Sequence, residues 1–142
     1  LGLAFRKLPA EAWEPPPPPA MAGMDLPFGA AAFLAQEPCV GRLLNDYGWG
    51  GYLIWRLHPV CPVFVDGRAD LYGPTVLEDY ATLLRLGEGW EQLLDAYDIR
   101  TVLLPPDTPL IQLLRRDPGW RLRYEDEAAV VLRRDAPAVG AP

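Results

Sequence analysis

Asn45-Asp46-Tyr47-Gly48-Trp49-Gly50-Gly51-Tyr52-Leu53-Ile54-Trp55, followed by Val63-Phe64-Val65-Asp66-Gly67-Arg68-Ala69-Asp70, is the stretch on which the fold turns. Each part passes from apolar residues into acidic residues and glycine, the composition at which strands give out and chains turn. Residues 42–45, leading into the first part, read as a strand. In 50–57, Leu53, Ile54 and Leu57 recur at helical spacing, and Tyr52 and Trp55 add bulk, so this segment reads as a helix, with Trp55 read as core packing ahead of stacking on a sugar. Residues 63–66 read as a second, buried strand. Neighbouring strands joined by a helix need a connection long enough to return across the sheet, and such a crossover makes the pair parallel.

The same alternation continues outward. Residues 28–36 are Ala-rich with Phe33 and Leu34 on one side and form a short helix that stops before Pro38. Apolar residues repeat at Val76, Leu77, Tyr80, Leu83 and Leu84, then at Trp90, Leu93, Leu94 and Tyr97, which predicts helices over 75–86 and 90–97 broken at Gly87-Glu88-Gly89. A strand over 101–104 ends at Pro105-Pro106, and a helix over 107–116 ends at Asp117-Pro118-Gly119. Residues 120–124 and 128–133 read as an antiparallel hairpin turning at 125–127. Strands alternating with helices predict a three-layer α/β domain, with a mainly parallel sheet flanked by helices and a C-terminal antiparallel hairpin.

With 142 residues and 50% hydrophobic content, the chain can bury one core. That core is expected over 25–135. Residues 1–24 form an N-terminal juxtamembrane segment and spacer, in which Pro15 to Pro19 favour polyproline II. Leu1-Gly2-Leu3-Ala4-Phe5, closed by Arg6-Lys7, reads either as a frayed terminus or as the last turn of a membrane helix with basic residues at the headgroups. Residues 136–142 are a flexible tail. No apolar run approaches the roughly 20 residues that span a bilayer. A net charge of −6 and no run of Lys or Arg argue against nucleic acid as partner. The chain contains no serine, which excludes a Ser-His-Asp triad, and the only histidine, His58, reads as a surface residue.

In open parallel sheets, ligands bind beyond the carboxyl ends of the strands. Those ends supply Asn45 and Asp46, then Asp66, Arg68 and Asp70, then Asp107. Carboxylates gathered there can do acid/base work or hold a hard divalent cation; they can also cap helices and pair with Arg68 or Arg42. Gly48, Gly50 and Gly51 suggest a phosphate-binding loop, yet the spacing of a dinucleotide fingerprint and a Gly-Lys-Ser/Thr are both missing. Aromatic rings beside acids also suit a sugar, whose apolar face stacks on a ring; Trp49 stands between this role and packing. No catalytic residue and no metal ligand set is assigned. Cys39 and Cys61 each precede a strand start, where parallel neighbours would bring them within disulfide range, so a Cys39–Cys61 bond is expected. Such a bond fits an oxidising compartment.

The stretch Asn45 to Trp55, with Val65-Asp66-Gly67-Arg68-Ala69-Asp70-Leu71-Tyr72, resembles the C-terminal soluble region of multi-pass bacterial membrane proteins related to C-type glycosyltransferases, which use polyprenyl-phosphate sugars. The resemblance covers Gly41 to Arg133. In layout it is also distantly similar to the Trp-Trp-Asp-Tyr-Gly region of oligosaccharyltransferase catalytic subunits. There Asp46-Tyr47-Gly48 match the last three residues, and Leu44 and Asn45 stand in place of the tryptophans. The resemblance implies a soluble accessory or acceptor/substrate-binding domain on the extracytoplasmic face of the bacterial cell membrane, inactive alone because the catalytic carboxylates of such enzymes lie between membrane helices. It implies that Asp46, Tyr47, Trp49, Asp66, Arg68 and Asp70 contact substrate or the membrane domain of the same polypeptide. The implied ligands are a glycan, a polyprenyl-phosphate sugar or a peptide acceptor. No cofactor is expected in this fragment, and any divalent metal belongs to the parent protein. A structural or protein-interaction module, and a small standalone sugar- or phosphate-binding enzyme, are the alternative readings.

Overall fold

The computed structural model describes residues 19–21, 23–66 and 73–134; Arg68 and Asp70, the prolines before Pro19 and the tail lie outside the described residues. The elements in chain order are α1 (Phe28–Gln36), β1 (Arg42–Asn45), α2 (Gly50–Leu57), α3 (Gly73–Arg85), α4 (Trp90–Ala96), β2 (Ile99–Leu104), α5 (Pro109–Leu114), β3 (Trp120–Glu125) and β4 (Val130–Arg134). Short 3-10 turns cover Pro19–Met21 and Tyr47–Trp49. Among the described residues no helix is long and apolar enough to cross a membrane.

The strands form one mixed sheet in the order β1-β2-β4-β3. Among the described strands only β1 and β2 pair in parallel, while β4 runs antiparallel to both β2 and β3, so the expectation of a mainly parallel sheet is corrected. The reason lies in β4. Val130, Val131 and Leu132 are each at most 1% exposed, and a run that is apolar on both faces needs an interior position. In β3, Arg121 and Arg123 alternate with Leu122 and Tyr124, a pattern that suits an edge, where charge discourages pairing with another chain.

Residues 63–66 depart from expectation too. They run beside β1 but join the sheet through a single parallel bridge, Leu43 to Val63. The backbone of Phe64 and Val65 bonds instead to the side chain of Asn45, which is fully buried at the end of β1.

Alternating residues of the strands enter two separate buried clusters. Leu43, Leu103 and Val131 pack with Phe33 and Leu34 of α1 and Tyr52, Leu53 and Leu57 of α2. Leu44, Val102, Leu104, Val130 and Leu132 pack with Tyr80 and Leu83 of α3, Leu94 of α4 and Leu110, Ile111 and Leu114 of α5. The strands thus send side chains alternately into one cluster and the other.

The end of the sheet where β1 begins is held by two latches. Thr101 Oγ1 donates to the Val40 carbonyl at 2.7 Å and accepts from its N–H at 3.1 Å. The Cys39–Cys61 disulfide, with Cα atoms 5.3 Å apart, ties the approach to β1 to the approach to 63–66. The bridge spans a sequence separation of 22 residues, so closing that loop in the unfolded chain should contribute about 3 kcal/mol to stability. Urea unfolding of the oxidised chain, the dithiothreitol-reduced chain and the Cys39→Ala/Cys61→Ala variant should show a loss of that size in both disulfide-free forms. Equal stability of oxidised and reduced chains would contradict it.

Candidate functional site

Because β1 and β2 are parallel, Asn45 and Leu103, partners in register, come to the same rim of the sheet. Just beyond β1, Asp46 adopts an extended backbone and its Oδ1 accepts from the Gly48 N–H at 2.8 Å, capping the 3-10 turn that leads into α2. The Gly50 N–H donates to the Tyr47 carbonyl. The Gly48 and Gly50 donors that a phosphate-binding loop would offer are therefore both engaged inside the chain. Gly50 has a different purpose: a Cβ there would stand 2.3 Å from the Val65 carbonyl oxygen and 2.5 Å from Asp66 Cα. Only a residue without a side chain lets α2 start this close to 63–66.

Trp49 is 8% exposed, and its indole Nε1–H donates to the Asp25 carbonyl at 3.0 Å, which draws the chain before α1 up to the rim. From the far side, antiparallel pairing of Leu104 with Val130 brings the β3–β4 turn to the same rim. The result is an open cleft of about 490 Å³ lined by Asp25, Asp46, Trp49, Pro105, Pro106, Asp107, Glu127 and Ala128. Four of these residues are carboxylates and none is basic. The cleft attracts cations and accepts hydrogen bonds from hydroxyl or amine donors, and it repels phosphate. Among the described residues no group of three or more His, Cys, Asp or Glu is arranged to hold a metal ion.

Tyr80 of α3 supports the rim from below. Its hydroxyl donates to the Asn45 carbonyl at 3.0 Å and accepts from the Tyr47 N–H at 2.8 Å. Burial, followed by the charge of Asp46, pushes its phenol well above the usual tyrosine range. Tyr97 is also raised, chiefly because its hydroxyl donates to Asp79 at 2.6 Å.

Of the residues expected at the site, the structure brings together Asp46, Trp49 and Asp107. Tyr47 is 37% exposed and does not line the cleft. Asp66 is 2% exposed, held beneath the start of α2. Arg68 and Asp70 lie outside the described residues. Trp55, expected in the core, is 43% exposed because it occupies the outward side of α2 while Tyr52 and Leu53 fill the inward side. Sequence reasoning missed Asp25 and Glu127. The signal for Glu127 was the apolar run of β4: an interior β4 antiparallel to β2 places its preceding turn beside Pro105. No family model, no curated protein and no solved structure matches this chain.

The tyrosine network generates a pH test. A phenol whose folded pKa is raised contributes stability that is complete below the unfolded value near 10 and is lost as pH rises above it. Folding stability should therefore fall from about pH 10 upward, by as much as about 1.4 kcal/mol per pH unit for Tyr80. Tyr97 acts in the same direction. Urea unfolding across alkaline pH should show a shallower decline for Tyr80→Phe, together with a loss of about 1–2 kcal/mol at neutral pH from the missing hydrogen bonds. An unchanged alkaline slope would remove Tyr80 from this role.

Proposed function

We propose that this chain is the accessory, acceptor- or substrate-binding domain of a membrane-embedded glycosyltransferase-like protein, a three-layer α/β unit on the extracytoplasmic side of a bacterial membrane that performs no catalysis alone. The observation that carries the reading is the convergence of Asp25, Asp46, Asp107 and Glu127 around the edge of Trp49 at the strand-end rim. Carboxylate oxygens accept from sugar hydroxyls or from amines, and an indole edge supplies an apolar wall. The absence of any basic residue among those lining the cleft disfavours the phosphate of a polyprenyl-phosphate sugar. The ligand proposed for this cleft is thus the acceptor side, a neutral glycan or a cationic peptide. The disulfide supports an oxidising location. Tyr47, Arg68 and Asp70 remain, in this proposal, contacts to the membrane domain of the same polypeptide, whereas Asp66, buried beneath the start of α2, is not available for one.

A structural module is the second reading, and specific observations favour it: Asp46 caps a turn and Asn45 secures a neighbouring segment. Titration of the isotope-labelled chain with neutral di- and trisaccharides, a lysine-rich peptide and pyrophosphate separates the two. Acceptor binding predicts millimolar or tighter shifts of the Trp49 indole N–H and of the amides of Asp46, Asp107 and Glu127, with none from pyrophosphate. Asp107→Asn combined with Glu127→Gln should weaken that binding about tenfold, as loss of one or two charge-assisted hydrogen bonds would. Silence toward sugars and peptide at millimolar concentration leaves the structural module as the reading.

A further inference from the structure

The outer face of α1 and α2 is almost free of charge. Their sequences, Phe28–Gln36 and Gly50–Leu57, contain one charged residue, Arg56. By contrast α3 and α4 carry Glu78, Asp79, Arg85, Glu91 and Asp95, in a chain of net charge −6. Large apolar side chains stand out on the uncharged side: Met24 is 45% exposed, Phe28 39% and Trp55 43%. Tyr52 links two of them from beneath, with Phe28 edge-on at 5.5 Å and Trp55 at 5.9 Å between ring centroids. The N-terminal chain reaches the domain on this same face, since Met21 Cε lies 3.4 Å from where a Cβ of Gly51 would stand. The sequence ahead of that point contains Leu1-Gly2-Leu3-Ala4-Phe5 and then Arg6-Lys7.

We propose that this face seats against the headgroup–acyl boundary of a lipid bilayer, with Trp55 and Phe28 as the inserted side chains. Tryptophan favours that boundary because one part of its ring system is apolar and another can hydrogen-bond. An uncharged face can approach the boundary without dehydrating ions, while the acidic remainder stays in water. The size of the patch also selects the occupant. Two rings of roughly 150–250 Å² each and one methionine, all less than half exposed, offer roughly 300 Å². A stable second copy needs about 800 Å² per partner. Shallow lipid insertion needs no such area, and Arg6-Lys7 adds attraction to anionic headgroups. The inference rests on the α1–α2 face alone and stands apart from what the cleft binds.

The test uses the full 142-residue chain with phosphatidylcholine vesicles, with and without phosphatidylglycerol. Co-sedimentation should show association with both. Lipids brominated near the headgroup should quench the fluorescence component that Trp55→Phe removes. Trp55→Ser with Phe28→Ser removes both protruding rings from this face and should lower partition about tenfold or more, given roughly 100 Å² of exposed surface on each ring. Trp55→Phe should keep partition within about threefold, as a ring of similar size predicts. Where the double variant fails to fold, the quenching difference between wild type and Trp55→Phe decides. The proposal is overturned by no association at millimolar lipid or by equal partition of a folded double variant, which would assign binding to residues 1–18. Absence of the quenching difference, or a lipid-free dimer that the double variant abolishes, overturns it as well.

Discussion

The side chain of Asn45 is the interaction on which the rim depends. It is fully buried, and its Nδ2 donates to the Val65 carbonyl at 2.7 Å and to the Asp46 carbonyl at 2.9 Å. Its Oδ1 accepts from the Phe64 N–H at 2.8 Å and from the Val65 N–H at 3.3 Å. One primary amide thereby satisfies backbone groups that a strand ladder would otherwise have to satisfy, each of which costs about 1–3 kcal/mol when buried unpaired. Asparagine suits the position because it offers a donor and an acceptor together. An aspartate would set oxygen against the Val65 carbonyl, and a leucine would offer neither group. With 63–66 held in place, Gly50 can start α2 against Val65 and Asp66, and the short turn from Asp46 to Trp49 has a floor. The Asn45 carbonyl then receives the Tyr80 hydroxyl, joining α3 to the same point.

The other wall of the cleft is fixed independently. Asp126, in the β3–β4 turn, accepts from the N–H groups of Ala128 and Ala129 at 2.8 and 2.9 Å and from the Tyr124 hydroxyl at 2.6 Å. Tyr124 lies directly over Gly29 in the first turn of α1, where any Cβ would collide with its hydroxyl. The turn that carries Glu127 is therefore bound to α1, and the Trp49 indole binds the segment just before α1. Asp25 and Glu127 reach one cleft through α1, although 102 positions separate them in the chain (127 − 25).

Periodicity revealed most of the elements, because helices α2 to α4 each present a clear apolar side, while α1 is apolar nearly all round. The disulfide was accessible from two cysteines placed before neighbouring strands. The sheet order was less accessible, since alternation of strands and helices says that crossovers exist but not where a terminal hairpin inserts. The relevant contrast was present in the residues: Val130-Val131-Leu132 is apolar on both faces, whereas Trp120-Arg121-Leu122-Arg123 alternates. Reading 63–66 as a paired strand failed for another reason. Its apolar pattern is that of buried strand, and nothing in that pattern reveals that its hydrogen bonds go to a side chain. Trp55 lies outside the core because Tyr52, Leu53 and Leu57 already fill the inward side of its helix, so bulk alone does not predict burial there.

The carboxylates of the cleft do not share one explanation. Asp46 has a structural task as a cap, and Asp107 lies just ahead of α5, where a negative charge is favourable near a helix start. These two acids would be expected in a purely structural module. Asp25 and Glu127 differ: neither side chain forms a hydrogen bond or ion pair among the described residues, and both face two other acids across an open cleft. Among the described residues no arginine pairs with either acid. Arg115 pairs with Glu125, Arg123 with Glu37 and Arg134 with Asp95, none of which lines the cleft. Structural demands thus account for half of the acidic lining. The other half concentrates negative potential at the rim without a compensating contact among the described residues, and a ligand that donates hydrogen bonds or carries positive charge is the partner that would supply one.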